Sequence, residues 1–149
     1  MVINRQKRVR VASAPLESFL NRVLKTVHAP ANAATVCLVD DAQMARWNRA
    51  YRGKPKPTDV LSFPANGVRR GKNPPSARNG ATHDSYLGDV AIAPAVAKKN
   101  ARALGRTLSD ELRVLILHGV LHLLGYDHET DNGQMERLEL KLRAQLGLR

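Results

Sequence analysis

Residues 108 to 124 read L-S-D-E-L-R-V-L-I-L-H-G-V-L-H-L-L, a helical run that is apolar almost all round from Val114 onward. A helix with that character cannot lie on a surface, so it must form the buried centre about which the rest of the chain packs. Thr107 and Asp110 fit a capping box at its start. Gly125 stands just past its end, where a left-handed residue is expected to close the helix. The same helix carries His118 and His122 one turn apart, so both imidazoles leave one face. A turn back at Gly125 then brings His128 toward the same point. Three converging neutral imidazoles leave a fourth position open, the usual form of a catalytic zinc site, so one zinc ion is expected on His118, His122 and His128. A solitary core histidine satisfies itself with one hydrogen bond. Three of the chain's five histidines within eleven residues need another explanation.

The spacing H-x3-H-x5-H is also that of the metzincin peptidases, which place a general-base Glu directly after the first His. Gly119 occupies that position here. The pattern therefore supports a metal more strongly than it supports proteolysis. Asp127 is the nearest carboxylate in sequence. It is a candidate proton shuttle, although accepting a hydrogen bond from a ligand imidazole, or closing the turn, is the reading favoured for it.

At 149 residues the chain is long enough for a real core, and it is expected to form one domain over 1–149. Alternation of Val9 and Val11 with Arg8 and Arg10 predicts a short first strand. Leu16, Phe19, Leu20, Val23, Leu24 and Val27 follow a helical period over 15–28, with Ser13 as the expected cap. Ala34 to Val39 reads as a buried strand, and Asp40 or Asp41 as the cap of a second helix with Met44 and Trp47 on its apolar face. Further strands are expected over Asp59–Phe63 and Leu87–Ala93, and a helix over Pro94–Leu104. A last helix is marked by Asp131 and by Met135, Leu138, Leu142 and Leu146. Strands and helices that mix without regular alternation predict an α+β fold, a small mixed sheet packed with helices around the buried helix bearing the two histidines.

Cys37 is the only cysteine, which excludes an intramolecular disulfide and suits a small core residue. The basic N-terminus lacks the apolar stretch of a signal peptide, and no run approaches the ~20 apolar residues that span a bilayer. A cytoplasmic location with no membrane contact is expected.

Lys and Arg number 24 against 13 Asp and Glu, a net charge of +11, which favours a polyanionic partner and nucleic acid first. Residues 66–85 are rich in Gly, Asn, Pro and Ser and carry Arg69, Arg70, Lys72 and Arg78, so they predict a long basic loop able to contact phosphates. Arg52, Lys54 and Lys56 cluster in a Gly/Pro turn after the second helix. The planar fork of Arg52 matches phosphate oxygens. It is also a cation placed where the helix dipole favours one.

Three segments occur in order between Val36 and His128: N-R-A-Y-R-G-K-P-K-P-T-D-V-L-S-F-P, L-G-D-V-A-I and H-G-V-L-H-L-L-G-Y-D-H. On these the chain resembles the YbeY family, bacterial rRNA maturation factors described as metal-dependent endoribonucleases. The resemblance implies an α+β fold, one zinc on His118, His122 and His128, and an important Arg52 on the wall of a basic cleft. It implies action on single-stranded rRNA of the small ribosomal subunit, including 16S 3′-end maturation, a part in ribosome quality control, and ribosomal-protein or GTPase partners. The N-terminal region, the length and charge of 66–85, and Trp47 in place of an aliphatic residue depart from the family pattern and bear on how RNA is engaged. Two other readings fit parts of the sequence. One is a ribosome assembly factor with a structural zinc and no cleavage. The other is a zinc hydrolase of small molecules or peptides, against which the basic surface and Gly119 both count.

Overall fold

The computed structural model describes residues 1–54, 56–65, 86–127 and 131–148. The loop expected over 66–85, with Arg69 and Arg70, and the expected ligand His128 fall outside the described residues. Along the chain come β1 (Val2–Asn4), α1 (Ser13–Thr26), β2 (Ala34–Leu38), α2 (Asp41–Arg52), β3 (Val60–Pro64), β4 (Gly88–Ile92), α3 (Pro94–Leu104), α4 (Leu108–Leu123) and α5 (Gln134–Leu146). Among the described residues the strands form one sheet in the order β1-β2-β4-β3. β1 and β2 are parallel, as are β2 and β4, whereas β3 runs antiparallel to β4. Parallel neighbours need a long crossover, and α1 supplies it between β1 and β2. The sheet is mixed and the fold is α+β, as the element pattern predicts.

Alternation along the strands sorts the core into two layers. Ala34, Val36 and Leu38 of β2, with Val90 and Ile92 of β4, meet Leu20 and Val23 of α1, Ile116 and Val120 of α4, and Met135 and Leu142 of α5. The intervening Cys37 and Ala91, with Leu61 and Phe63 of β3, turn to the opposite face and meet Met44 of α2, with Trp47 and Tyr51 packed against them. In α4, ten of sixteen residues are buried, so its central position is observed directly. Full burial of a Leu or Ile side chain contributes about 1.5–3 kcal/mol. Ile116, Leu117 and Leu121, all with no exposure, therefore hold this helix by packing more than by helix propensity.

The ends of the elements follow local chemistry. Asp40 caps α2 by accepting the Gln43 N–H at 2.8 Å, and Thr107 caps α4 by accepting the Asp110 N–H at 3.1 Å. Asp131 opens α5, its two carboxylate oxygens accepting the N–H groups of Gly133 and Met135. At Gly88 (φ 142) a Cβ would stand 2.3 Å from the Phe63 carbonyl oxygen, so the β3–β4 pairing closes there only on a glycine.

Two expectations are corrected. The first strand is Val2–Asn4, not the Val9–Val11 stretch. Val9 has both backbone groups engaged by one side chain: Gln6 Nε2 donates to its carbonyl and Gln6 Oε1 accepts its N–H, each at 2.9 Å. Nothing of Val9 is left for a ladder. Ser13 is the first residue of α1 rather than its cap, and Ala12 at the cap position offers no side-chain acceptor.

Candidate metal centre

The site is built on the C-terminal half of α4. Gly119 lies against β4, and a Cβ there would stand 2.6 Å from Val90 Cγ1 and 2.9 Å from Val90 Cγ2. The Gly119 carbonyl also accepts a hydrogen bond from Ser62 Oγ of β3 at 3.1 Å. At about 100° per residue, the mean direction of His118 and His122 lies roughly 80° round the helix from Gly119. Seating Gly119 on the sheet thus leaves the two imidazoles half-buried at the flank of the helix.

Their geometry is specific. The Nε2 atoms of His118 and His122 face each other at 3.1 Å, with the rings edge to face at a centroid separation of 4.7 Å. His118 Nδ1 stands 2.6 Å from Glu139 Oε1 of α5. The other Glu139 oxygen takes Arg143 Nη2 at 3.2 Å. A tautomer with Nδ1–H toward this carboxylate would turn a bare Nε2 toward His122, and a carboxylate behind a ligand imidazole is a common way of fixing such a ring. Two nitrogens bound tetrahedrally at about 2.0–2.1 Å from zinc stand about 3.3 Å apart. The observed pair matches that separation closely, and neutral imidazole suits zinc. The residues present therefore fit the ion.

Among the described residues no third His, Cys, Asp or Glu joins the pair in a metal-holding group. His128, the third ligand expected from the spacing, lies outside them. The approach to it is described. α4 closes with Gly125 (φ 100) in left-handed geometry, the Gly125 N–H donating to the His122 carbonyl and the Tyr126 N–H to that of Leu121. This pair of bonds reverses the chain directly after the helix. Asp127 follows, half-buried, its carbonyl accepting the Asp131 N–H at 3.1 Å. Cys37 is placed away from the site, for the alternation of β2 sends it into the layer under α2.

Arg52, Lys54 and Lys56 lie together and exposed where α2 ends. Gly53 (φ 72) closes that helix, and the turn is anchored from within by buried Asn48, whose Nδ2 donates to the Lys56 carbonyl at 2.8 Å. The turn leads into β3, the strand that carries Ser62 against α4. Among the described residues, none of the three cations makes a side-chain hydrogen bond or ion pair. Asp59 serves the turn, accepting from Asn100 Nδ2 of α3 at 3.1 Å. Buried Asp89 accepts from the Tyr86 hydroxyl, which also bonds Thr35 Oγ1 at 2.9 Å. Burial raises the Tyr51 phenol above its ordinary value, and the charge of Asp89 adds to the shift. Thus the structure brings His118 and His122 together and groups the three cations, but it gives no contact between Arg52 and the imidazoles.

The contact of Glu139 with His118, and that of Asn48 with the turn after α2, are features of the site that sequence reasoning missed. Glu139 had a visible signal. It lies four residues after Met135 and three before Leu142, so it is an acid on the apolar stripe of α5.

Comparison with known proteins agrees with this architecture. The family model for Endoribonuclease YbeY matches residues 1–147. The Endoribonuclease YbeY of Koribacter versatilis is 40% identical over 148 residues, covering 99% of this chain and 86% of that protein. That of Moorella thermoacetica is 40% identical over 154 residues, covering 99% and 97%. The solution structure of TM1509 from Thermotoga maritima superposes with a TM-score of 0.61 at 26% identity, covering 98% of this chain and 89% of that one. With a family match from end to end and relatives at this identity over nearly their whole length, the chain belongs to the YbeY endoribonuclease family.

Proposed function

We propose that this chain is a zinc-dependent endoribonuclease that cuts single-stranded rRNA, including the 3′ end of 16S rRNA, in the cytoplasm during ribosome maturation and quality control. Ribosomal small-subunit components, with a ribosomal protein or a GTPase among them, are its proposed partners. One observation carries the reading: two Nε2 atoms at ligand separation on the central helix, one of them held by a carboxylate, in a chain of this family. His118, His122 and His128 would hold the ion. An ion held by them would supply Lewis-acid chemistry and make hydroxide available near neutral pH.

The remaining roles belong to this chain's own groups. Glu139 keeps the His118 proton on Nδ1 and fixes the ring, and Arg143 steadies Glu139. Arg52 would bind the scissile or an adjacent phosphate through its fork and offset charge that builds in the transition state. Lys54 and Lys56, with Arg69 and Arg70 of the basic stretch 66–85, would bind neighbouring phosphates. Asp127 would accept a proton or a ligand-imidazole hydrogen bond. No helix among the described residues is long and apolar enough to cross a membrane.

Arg52→Ala tests the nuclease reading. Turnover on single-stranded RNA is expected to fall by about 10²-fold or more, while affinity changes far less. A variant that binds less tightly with a reduced salt dependence, and whose rate at saturation is unaltered, would favour an assembly factor that only binds RNA. Glu139→Gln tests the geometry of the site separately. The amide keeps the shape and loses the charge, so zinc affinity is expected to drop about 10–100-fold in competition with a chromophoric chelator. Unchanged zinc affinity would remove Glu139 from the site.

A further inference from the structure

We propose that the loop between β1 and α1 is a second contact for the RNA backbone, apart from the α2–β3 turn. The inference rests on the reading that this chain acts on RNA. Arg5, Lys7, Arg8 and Arg10 are all exposed there. Among the described residues, none of their side chains has a hydrogen bond or an ion pair.

A charged run that is merely solvated needs no fixed shape, and this one has a fixed shape. Gln6 is only 7% exposed. Its Nε2 donates to Asn4 Oδ1 at 3.0 Å and to the Val9 carbonyl at 2.9 Å, and its Oε1 accepts the Val9 N–H at 2.9 Å. The Arg5 N–H donates to the Leu38 carbonyl at 2.8 Å and ties the start of the loop to β2. A buried amide is tolerated only when its polar atoms are matched in this way. The result is a loop closed on its own side chain, with Gln6 and Val9 turned in and four cations turned out.

The charge is not balanced locally. Residues 1–39 hold six Lys and Arg (Arg5, Lys7, Arg8, Arg10, Arg22 and Lys25) and one acid, Glu17. That acid is occupied, with Oε2 3.1 Å from the N-terminal ammonium and Oε1 accepting the Val2 N–H at 2.7 Å. Crowded like charges work against the compact state unless an anion offsets them. The anion that fits is a phosphodiester chain. Three guanidinium forks match phosphate oxygens. Segments that lie on membranes instead insert exposed apolar side chains; here Val9 is buried and Val11 packs on the main core.

The test uses the full-length protein and three variants. R5Q/K7Q/R8Q/R10Q removes the loop charges. K98Q/K99Q/R102Q/K141Q removes as many from exposed positions on α3 and α5. Gln6→Ala keeps every charge and frees the loop. Anisotropy of a labelled single-stranded RNA is followed from about 50 to 200 mM salt, with circular dichroism as the check on folding. Each single-strand phosphate contact contributes about 0.7 to the slope of log K against log salt, so the loop variant should lose about 2–3 from the slope, its deficit in affinity being largest at 50 mM and shrinking by roughly 16- to 64-fold at 200 mM. The helix variant should lose less than half of that, and Gln6→Ala should bind more weakly with its net charge intact. Equal losses in the two fourfold variants would overturn the proposal in favour of a uniform field, and unchanged RNA binding by the loop variant would also overturn it. If folded Gln6→Ala binds like wild type, the fixed shape has no role and the proposal fails. Loss of binding to phosphatidylserine vesicles at unchanged RNA affinity would reassign the loop to a lipid surface.

Discussion

His122→Ala is expected to abolish cleavage of a single-stranded RNA carrying the 16S 3′-end sequence while leaving the helical signal in circular dichroism intact. His122 contributes one of the two facing Nε2 atoms and sits half-buried at the flank of α4 rather than in its apolar core. Truncation there removes a donor without opening a large cavity. Metal-ion catalysis supplies several kcal/mol to a transition state, and at 1.36 kcal/mol per tenfold its loss corresponds to about 10³-fold or more in rate. Zinc content should fall with activity. Equal cleavage by the folded variant and wild type would sink the assignment, because a nuclease indifferent to His122 does not use this site. Zinc bound by wild type with no cleavage by either protein would move the weight to RNA binding without chemistry.

Gly119→Ala is expected to cost stability although it adds only one methyl group. The new methyl would meet both γ-carbons of Val90, at 2.6 and 2.9 Å. Val90 has no exposure, and a β-branched side chain has little rotameric freedom with which to yield. Overpacking of this kind costs about 1–3 kcal/mol, seen as a lower urea midpoint at unchanged m-value. Adding Val90→Ala should restore part of the loss, since the clash is with those two methyls. A neutral Gly119→Ala would mean that α4 can ease away from the sheet. The same contact explains why the peptidase-like spacing lacks its carboxylate. A Glu at 119 would need space that Val90 already fills.

The parts of the fold that were legible are those in which one period dominates. α4 announced itself by apolar residues on every side, and the caps Asp40 and Thr107 by short polar residues at the start of helical runs. The expected first strand failed for a local reason. Val9 and Val11 do alternate with arginines, but a single glutamine three residues back captures Val9, and alternation cannot report that. The true β1, three residues long, is too short to carry a pattern. At the site, the histidine pair was legible because it lies within one helix. Glu139 was not, because its contact with His118 spans 21 residues and depends on how α5 packs. Its place on an apolar stripe was the available clue. The surroundings of Arg52 likewise depend on packing between elements, which sequence spacing does not encode.

The strand order has a consequence for how these molecules behave in company. A sheet that is not a closed barrel has two edges, and unpaired backbone at an edge can recruit a strand from another molecule. Among the described residues the edges are β1 and β3. The first is three residues long and runs straight into a stretch bearing Arg5, Lys7, Arg8 and Arg10. The second ends at Pro64, which has no N–H to offer. Neither presents a long, flat, neutral row of donors and acceptors. Among the described residues, both edges thus work against the stacking of crowded copies edge to edge into fibres.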